Sequence, residues 1–368
     1  MINFDSIEEH IKDGSFTFLI GPQSSDRTDF LLKIRDKINF VQQKASNSDN
    51  HKLGFKRFFF DRSTNNDSST VDKDKSNTKP FLTHLKKSDS LMLFDKKFKE
   101  QYLSVQKYLS SSLGISFSSE KKVSIEYWLK WSGLCEKRSH KISELKPEQQ
   151  IILKLASLLI KSPRLVLIDT VFDSLNFEPR NTILSLLKKT AKKHKISFVL
   201  STNSLPDAYT HATTIAVIID NKIKQIADPQ SIYYEPKTSD VALFTGEGCL
   251  YPVTVLNRNA IQIENEIHET NLHADLVGEK KLNLFIRANQ LFLNPASDFE
   301  ITITDVKFMG SMSMYTAKTN SGHRLLIADY TAIEYKIGEK VGISFQFNAF
   351  PLFKIKESVT TQYAQIPA

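Results

Sequence analysis

The chain has 368 residues, of which 40% are hydrophobic and 24% are charged, and its formal net charge is +8. This length is too great for one ordinary hydrophobic core, so we expect two globular domains. No apolar run approaches the ~18 residues that a membrane-spanning helix needs, and the two cysteines provide no disulfide framework. We therefore expect a cytoplasmic protein, and no nucleic-acid partner, because the excess lysines are scattered through helical patterns.

The first predicted element is an apolar strand from Phe16 to Ile20. The loop Gly21 to Thr28 follows, with the sequence Gly-Pro-Gln-Ser-Ser-Asp-Arg-Thr, and after it comes an amphipathic helix with Leu31 and Ile34 on its apolar side. A strand, a loop and a helix in this order are the frame of a phosphate-binding loop. The pattern therefore indicates an anion-binding loop at the end of a buried strand.

The next part of the chain divides into a polar and a helical stretch. Residues 63–79 are rich in Ser, Asn, Asp and Lys and predict a mobile loop, because they bury little apolar surface. From about residue 91 to 140, short helical patterns alternate, and they contain Trp128 and Trp131. Aromatic residues at helical spacing are usually core, so we interpret at least one of these tryptophans as packing.

The stretch from Leu145 to Asn176 is the most informative part of the sequence. The helix predicted over Gln149–Ile160 is apolar around most of its circumference, which is typical of a core helix. The run Leu165–Ile168 is apolar on both alternating faces and predicts a central strand of a parallel sheet. Asp169 ends this strand where open α/β sheets bind ligands. Its carboxylate therefore either holds a metal ion or caps the following turn.

Further strands follow this stretch. A third buried strand is predicted at Ile196–Leu200 and ends at Ser201-Thr202-Asn203, and a hairpin is predicted over Thr214–Ile226. Beyond Gly248 the pattern changes to short alternating strands with turn signals between them, which favours a small barrel or sandwich.

Together these features resemble the ATP-binding subunit of ABC importers, of the type that serves ferric iron, polyamines or sugars and carries a C-terminal regulatory barrel. The corresponding stretch in that family reads Leu-Ser-Gly-Gly-Gln-Gln, a helix, Pro, four apolar residues, Asp-Glu-Pro and a loop ending Leu-Asp. Leu145 to Asn176 has the same spacing without a gap, and Thr214 to Gly246 resembles the family's exit from the ATPase domain.

The resemblance implies an α/β P-loop ABC-ATPase domain over residues 1–246, with a helical subdomain at about 91–140. An all-β regulatory domain similar to an oligonucleotide- and oligosaccharide-binding (OB) barrel would follow over residues 247–368.

The resemblance also assigns site residues, each by its position in the family's motifs. Those of the phosphate loop are Gly21, Ser24, Asp26, Arg27 and Thr28. The residues of the signature loop, which faces the partner subunit's nucleotide, are Leu145, Lys146, Pro147, Glu148 and Gln149. Thr28 and Asp169 would hold Mg²⁺, Thr170 occupies the position of the glutamate that polarises the attacking water, and Asn203 occupies that of the switch histidine.

Several of these residues differ chemically from those of the family. Asp26 replaces a glycine and brings a carboxylate toward the phosphates, and Arg27 replaces a lysine with a group of different shape. Thr170 removes a general base, a loss that typically costs about 10²–10⁴ in rate. Pro147 lacks an N–H donor in the signature loop, and only Phe4 is available to stack on adenine. We therefore expect the binding of ATP and Mg²⁺ to be weakened or absent.

The predicted function is that of an importer ATP-binding subunit with lost or strongly reduced hydrolysis and a structural or regulatory role. By resemblance its partners are the importer's membrane subunits and a second ATP-binding subunit, in a homodimer or a heterodimer at the inner face of the cell membrane. Two alternatives stay open at this point: an active ATPase that uses substitute residues, and a non-enzymatic binding module that acts through the barrel.

Overall fold

The computed structural model describes residues 7, 9–23, 25–46, 90–93, 98–113, 119–331, 333–347 and 350–355. Ser24, Phe4 and the polar stretch 63–79 lie outside the described residues. The described chain falls into two compact units: a first unit of residues 7–17 and 28–201, and a second unit of residues 18–27 and 202–355. The predicted domain boundary between residues 246 and 247 stays a prediction.

Six strands form the α/β part of the described chain, and the division between the two units falls within the first of them. The six strands are β1 (Phe16–Ile20), β2 (Ser90–Leu93), β3 (Leu165–Asp169), β4 (Ser197–Ser201), β5 (Thr214–Ile219) and β6 (Lys222–Ala227). Strands β2, β3 and β4 pair in parallel, whereas β5 and β6 form an antiparallel hairpin. Leu165 to Ile168 are fully buried, which confirms the predicted central strand.

Five helices belong to the first unit: α1 (Arg27–Ser46), α2 (Val105–Ser112), α3 (Ser119–Trp131), α4 (Pro147–Leu159) and α5 (Phe177–His194). The first residue of α1, Arg27, is counted with the second unit. Helix α4 begins two residues earlier than predicted, because Pro147 occupies its first position, where the missing N–H breaks no helical hydrogen bond. Its buried residues include Leu153 and Leu155, so α4 is a core helix as predicted. Trp128 is only 6% exposed, which confirms its packing role.

The second unit continues with three short helices and ten strands. The helices are α6 (Leu205–His211), α7 (Pro229–Tyr234) and α8 (Ser239–Phe244). The strands are β7 (Gly248–Asn257), β8 (Ala260–Ile263), β9 (Glu266–Glu269), β10 (Lys281–Arg287), β11 (Leu291–Leu293), β12 (Glu300–Phe308), β13 (Ser313–Thr319), β14 (Arg324–Asp329), β15 (Lys340–Phe345) and β16 (Leu352–Lys354).

These ten strands form two antiparallel sheets, ordered β16-β10-β7-β8-β9 and β11-β15-β12-β13-β14. Buried side chains of both sheets share one apolar core, in which Ile301 and Ile303 of β12 pack with Leu284 of β10. Burial alternates along β12, as expected for strands with one face on the core. The C-terminal region is therefore all-β, as predicted.

One close approach in this region requires a glycine. A Cβ on Gly342 of β15 would lie 2.4 Å from the carbonyl oxygens of both Asn294 and Ser297. Backbone atoms on two sides leave no room for relaxation by a side-chain rotation, so a methyl group here forces the strand or the neighbouring loop to move.

We expect Gly342→Ala to lower the free energy of unfolding by about 1–3 kcal/mol, the usual cost of overpacking. Urea unfolding followed by circular dichroism measures this change, and Ser344→Ala in the same strand is the matched control, with an expected effect within about 0.5 kcal/mol. Equal stability of Gly342→Ala and the wild type would contradict this account of the contact.

Candidate functional site

The loop after β1 begins with a glycine that has no room for a side chain. A Cβ on Gly21 would lie 2.0 Å from the carbonyl oxygen of Ile218 in β5. The requirement for glycine here therefore comes from the close approach of two backbone segments. Within the loop, the Ser25 N–H donates to the Pro22 carbonyl at 2.9 Å.

Arg27 directs its guanidinium into this loop. The side chain is 7% exposed. Its Nη1 donates to the carbonyl oxygen of Gly21 and, at 3.4 Å, to that of Pro22, and its Nη2 donates to Oδ1 of Asn203. The residue predicted to contact phosphate therefore binds the carbonyl oxygens of its own loop. The same group connects the loop to the residue at the switch-histidine position.

Asp26 is held through its backbone. Its N–H donates to Oδ1 of Asn221 at 2.8 Å, while the Asp26 side chain is exposed. Asp220 and Asn221 have φ values of 51° and 55° and form the two-residue turn between β5 and β6, a turn in which Asn and Asp are favoured. One of the loop's N–H groups is therefore already engaged with the protein.

In the first unit, the Asp169 carboxylate accepts two hydroxyl hydrogen bonds. Oγ1 of Thr28 donates to Oδ2 at 2.7 Å, and Oγ of Ser201 donates to Oδ1. Parallel pairing of β3 with β4 places Asp169 directly beside Ser201. Carboxylate and hydroxyl oxygens are hard ligands of the kind that Mg²⁺ prefers. Thr28, Asp169 and Ser201 therefore fit a magnesium ion chemically.

Thr170, at the predicted position of the catalytic glutamate, has an unusual backbone conformation. Its φ of 44° is rare for a β-branched residue. Its N–H lies 3.0 Å from Oγ and 3.2 Å from the carbonyl oxygen of Ser201, and these acceptors hold the turn after β3. The side chain offers a hydroxyl, which is a much weaker proton acceptor than a carboxylate at neutral pH.

The predicted signature loop forms the start of α4. Leu145 is buried, and Lys146 is the N-cap residue. Oε1 of Gln149 accepts the Lys146 N–H at 3.2 Å and Nζ of Lys137 at 3.0 Å. The Glu148 carboxylate in the first helical turn is favourable beside the helix dipole but repels an approaching phosphate. This helix start is therefore stabilised by groups of the chain itself.

The structure joins some of the predicted site residues and adds others. It brings Arg27 to Gly21 and Asn203, and it brings Thr28 to Asp169. Sequence reasoning missed the roles of Ser201 and Asn221. The signal for Ser201 was available, because it directly follows a predicted strand in the same way as Asp169. Nothing in the sequence marked Asn221 as a partner of the loop.

Known proteins similar to this chain include subunits of importers. Residues 284–353 match the TOBE domain family. The chain is 25% identical over 233 residues to "Fe(3+) ions import ATP-binding protein FbpC" of Haemophilus influenzae, a match covering 61% of this chain and 65% of that protein. It is 30% identical over 160 residues to "Spermidine/putrescine import ATP-binding protein PotA" of Escherichia coli strain K12, which covers 42% of each chain. The matches thus span less than two thirds of these relatives.

Among solved structures, cbiO1 from Clostridium perfringens, part of the ABC transporter complex cbiONQ, is similar with a TM-score of 0.41 and 15% identity. That match covers 60% of this chain and 80% of cbiO1. No helix in the described part of the chain is long and apolar enough to cross a membrane. The chain is therefore homologous to ATP-binding subunits of ABC importers, and its residues 284–353 match the TOBE domain.

Proposed function

We propose that the chain is the ATP-binding-subunit component of an ABC importer in which hydrolysis is lost or strongly reduced, and that its role is structural or regulatory. The observation that carries this proposal is Asp169, which keeps its contacts with Thr28 while Thr170 replaces the catalytic glutamate. The names of the relatives support a ferric-iron or polyamine importer.

Nucleotide binding is supported by the retained oxygen ligands. Thr28 and Asp169 would hold Mg²⁺, with the Ser201 hydroxyl orienting the carboxylate. Bound magnesium would neutralise part of the negative charge on the outer phosphates. Arg27 retains a positive charge, but its guanidinium must leave the carbonyl oxygens of Gly21 and Pro22 before it reaches a phosphate. We therefore propose that ATP binds weakly.

Loss of turnover follows from the residues that act on the attacking water and the γ-phosphate. Thr170 cannot polarise the water as a carboxylate does, and Asn203 hydrogen-bonds without carrying charge. In the dimers of the resembled family, each nucleotide lies between the phosphate loop of one subunit and the signature loop of the other. Both loops are altered here, so pairing with a competent subunit leaves one altered loop at each of the two sites.

The partners in this proposal are the importer's membrane subunits and a second ATP-binding subunit, either another copy or a homologue. The protein would then be peripheral to the inner face of the cell membrane. The relatives, described as import ATP-binding proteins, support this assembly.

We expect the purified chain to bind ATP in the presence of Mg²⁺ without releasing phosphate above background. Asp169→Ala removes the carboxylate ligand and should weaken binding of the magnesium complex about 10–100-fold, the loss expected for a charge-assisted contact of about 1.5–3 kcal/mol. Isothermal titration and a phosphate-release assay on the same samples measure both quantities.

Asp36→Ala is the matched control, because it removes an exposed carboxylate from the same helix that carries Thr28, and it should bind like the wild type. Magnesium-dependent phosphate release that disappears in Asp169→Ala would instead support an active ATPase with substitute residues. If millimolar ATP does not bind, the nucleotide part of the proposal is wrong.

We further expect Arg27→Lys to tighten ATP binding by about tenfold, or ~1.4 kcal/mol. A lysine ammonium is compact and does not span the positions of Gly21 and Asn203 as the guanidinium does, so fewer internal contacts compete with phosphate. Equilibrium titration with a fluorescent ATP analogue, competed by ATP, provides the measurement. Arg35→Lys on the exposed side of α1 is the control, and equal affinity of Arg27→Lys and the wild type would refute competition by these contacts.

A further inference from the structure

Arg287, at the end of β10 in the second unit, is a buried cation held by neutral groups. Its side chain is 3% exposed. Nε donates to the Tyr233 carbonyl oxygen at 3.1 Å, Nη2 donates to the same oxygen, and Nη2 also lies 3.4 Å from Oγ1 of Thr245. The guanidinium carbon lies 3.7 Å from the centre of the Tyr233 ring. These contacts fix the guanidinium without neutralising its charge.

The described part of the chain supplies no negative partner for this charge. No described Asp or Glu forms an ion pair with Arg287, and its Nη1 is buried without a hydrogen-bond acceptor. The titratable neighbours that influence it are Tyr209, Tyr233 and Tyr234. Burial raises the pKa of Tyr209 to about 12, so this phenol is neutral at physiological pH. A buried charge of this kind is normally paired with an opposite charge.

A cavity of about 150 Å³ adjoins this cation. Its lining residues are Tyr233, Tyr234, Arg287, Asn289, Gln290 and Gln346. Gln290 accepts the Arg287 backbone N–H with its carbonyl oxygen at 2.9 Å, which leaves its amide N–H groups as donors. Asn289 and Gln346 are exposed and form the rim, whereas Arg287 and Gln290 are buried. The cavity is thus open to solvent, and its lining includes several hydrogen-bond donors.

We propose that this cavity binds a small monocarboxylate, whose oxygens accept hydrogen bonds from the guanidinium of Arg287 and the amide groups of the lining. One unpaired positive charge is balanced by one negative charge. A dianion such as sulfate would leave an excess negative charge, which is costly at a partly buried position.

The size of the cavity restricts the ligand further. Sites for drug-sized molecules are about 300–1,000 Å³, so this cavity is suited to an anion of a few heavy atoms or to the carboxylate end of a larger molecule. Gly246 borders the cation, because a Cβ there would lie 2.4 Å from Nη1 of Arg287. A free carboxylic acid and the terminal carboxylate of a peptide share this chemistry.

The test uses the full chain and acetate as the probe. Saturation-transfer NMR should detect acetate methyl protons bound to the wild type, and Arg287→Gln should abolish the signal. Acetate should raise the Tm by about 2–4 °C at roughly tenfold excess over its Kd, compared with chloride at equal ionic strength. Arg324→Gln, an exposed arginine of β14, is the matched control and should retain both effects.

If Arg287→Gln does not fold, the rim variants Asn289→Ala and Gln346→Ala provide the same test, with an expected several-fold weakening of acetate binding. A short peptide with a free C-terminal carboxylate, compared with its amidated form, distinguishes a peptide end from a free acid. An acetate signal that survives in Arg287→Gln or is unchanged in both rim variants, or that sulfate displaces at equal concentration, would overturn the assignment. Absence of any acetate signal with the wild type would overturn it as well.

Discussion

The candidate nucleotide site depends on the hydrogen bonds accepted by the Asp169 carboxylate. This carboxylate lies at the end of β3 and accepts hydroxyl hydrogen bonds from Thr28 at the start of α1 and from Ser201 at the end of β4. Charge-assisted hydrogen bonds of this kind are short and strong. They join three elements that are far apart in sequence, and they leave a set of oxygen atoms suited to magnesium. In the proposed function, these oxygen atoms would hold magnesium, while Thr170 occupies the position assigned to the catalytic glutamate.

Arg27 shows how a retained charge acquires different contacts. A lysine at this position carries its charge on one nitrogen, whereas the guanidinium donates in several directions within one plane. In this structure those donors reach the carbonyl oxygens of the loop and the amide oxygen of Asn203. The charge therefore stabilises the loop itself, and nucleotide has to compete with these contacts. This competition is the physical reason for the weak ATP binding that we propose, and it is separate from the proposed loss of a general base at Thr170.

The C-terminal β region has a core of its own, formed by the two antiparallel sheets. Arg287 stands out in it, because its charge is buried among aromatic rings, one carbonyl oxygen and one hydroxyl, and no described carboxylate forms an ion pair with it. Such an arrangement is costly for a structural role alone, since an apolar residue of similar volume often serves as well. Binding of an anion gives the buried charge a function, and it would give the second unit a role that does not require ATP hydrolysis.

The sequence by itself determined the main elements around the site. Strand β1 was predicted with its observed bounds, and the predicted start of β4 lies one residue before the observed start. Helix α4 was recognised as a core helix because apolar residues occupy most of its circumference. The sequence of β13, Ser-Met-Tyr-Thr-Ala-Lys-Thr, has little alternation, and pairing with β12 and β14 fixes its place. The spacing of apolar residues along the chain indicates which face of a helix or strand is buried, and this spacing is a local property of the sequence.

Only the tertiary structure decided which polar side chains meet. Arg27 and Asn203 are 176 positions apart, and Asp26 and Asn221 are 195 positions apart. A single sequence carries no signal for such pairs, because a polar residue at the end of a strand looks the same whether it faces solvent or a distant partner. The burial of Arg287 is of the same kind. An arginine beside apolar strand residues predicts an exposed charge, and only the packing of Tyr233 and Thr245 around it makes it a buried one.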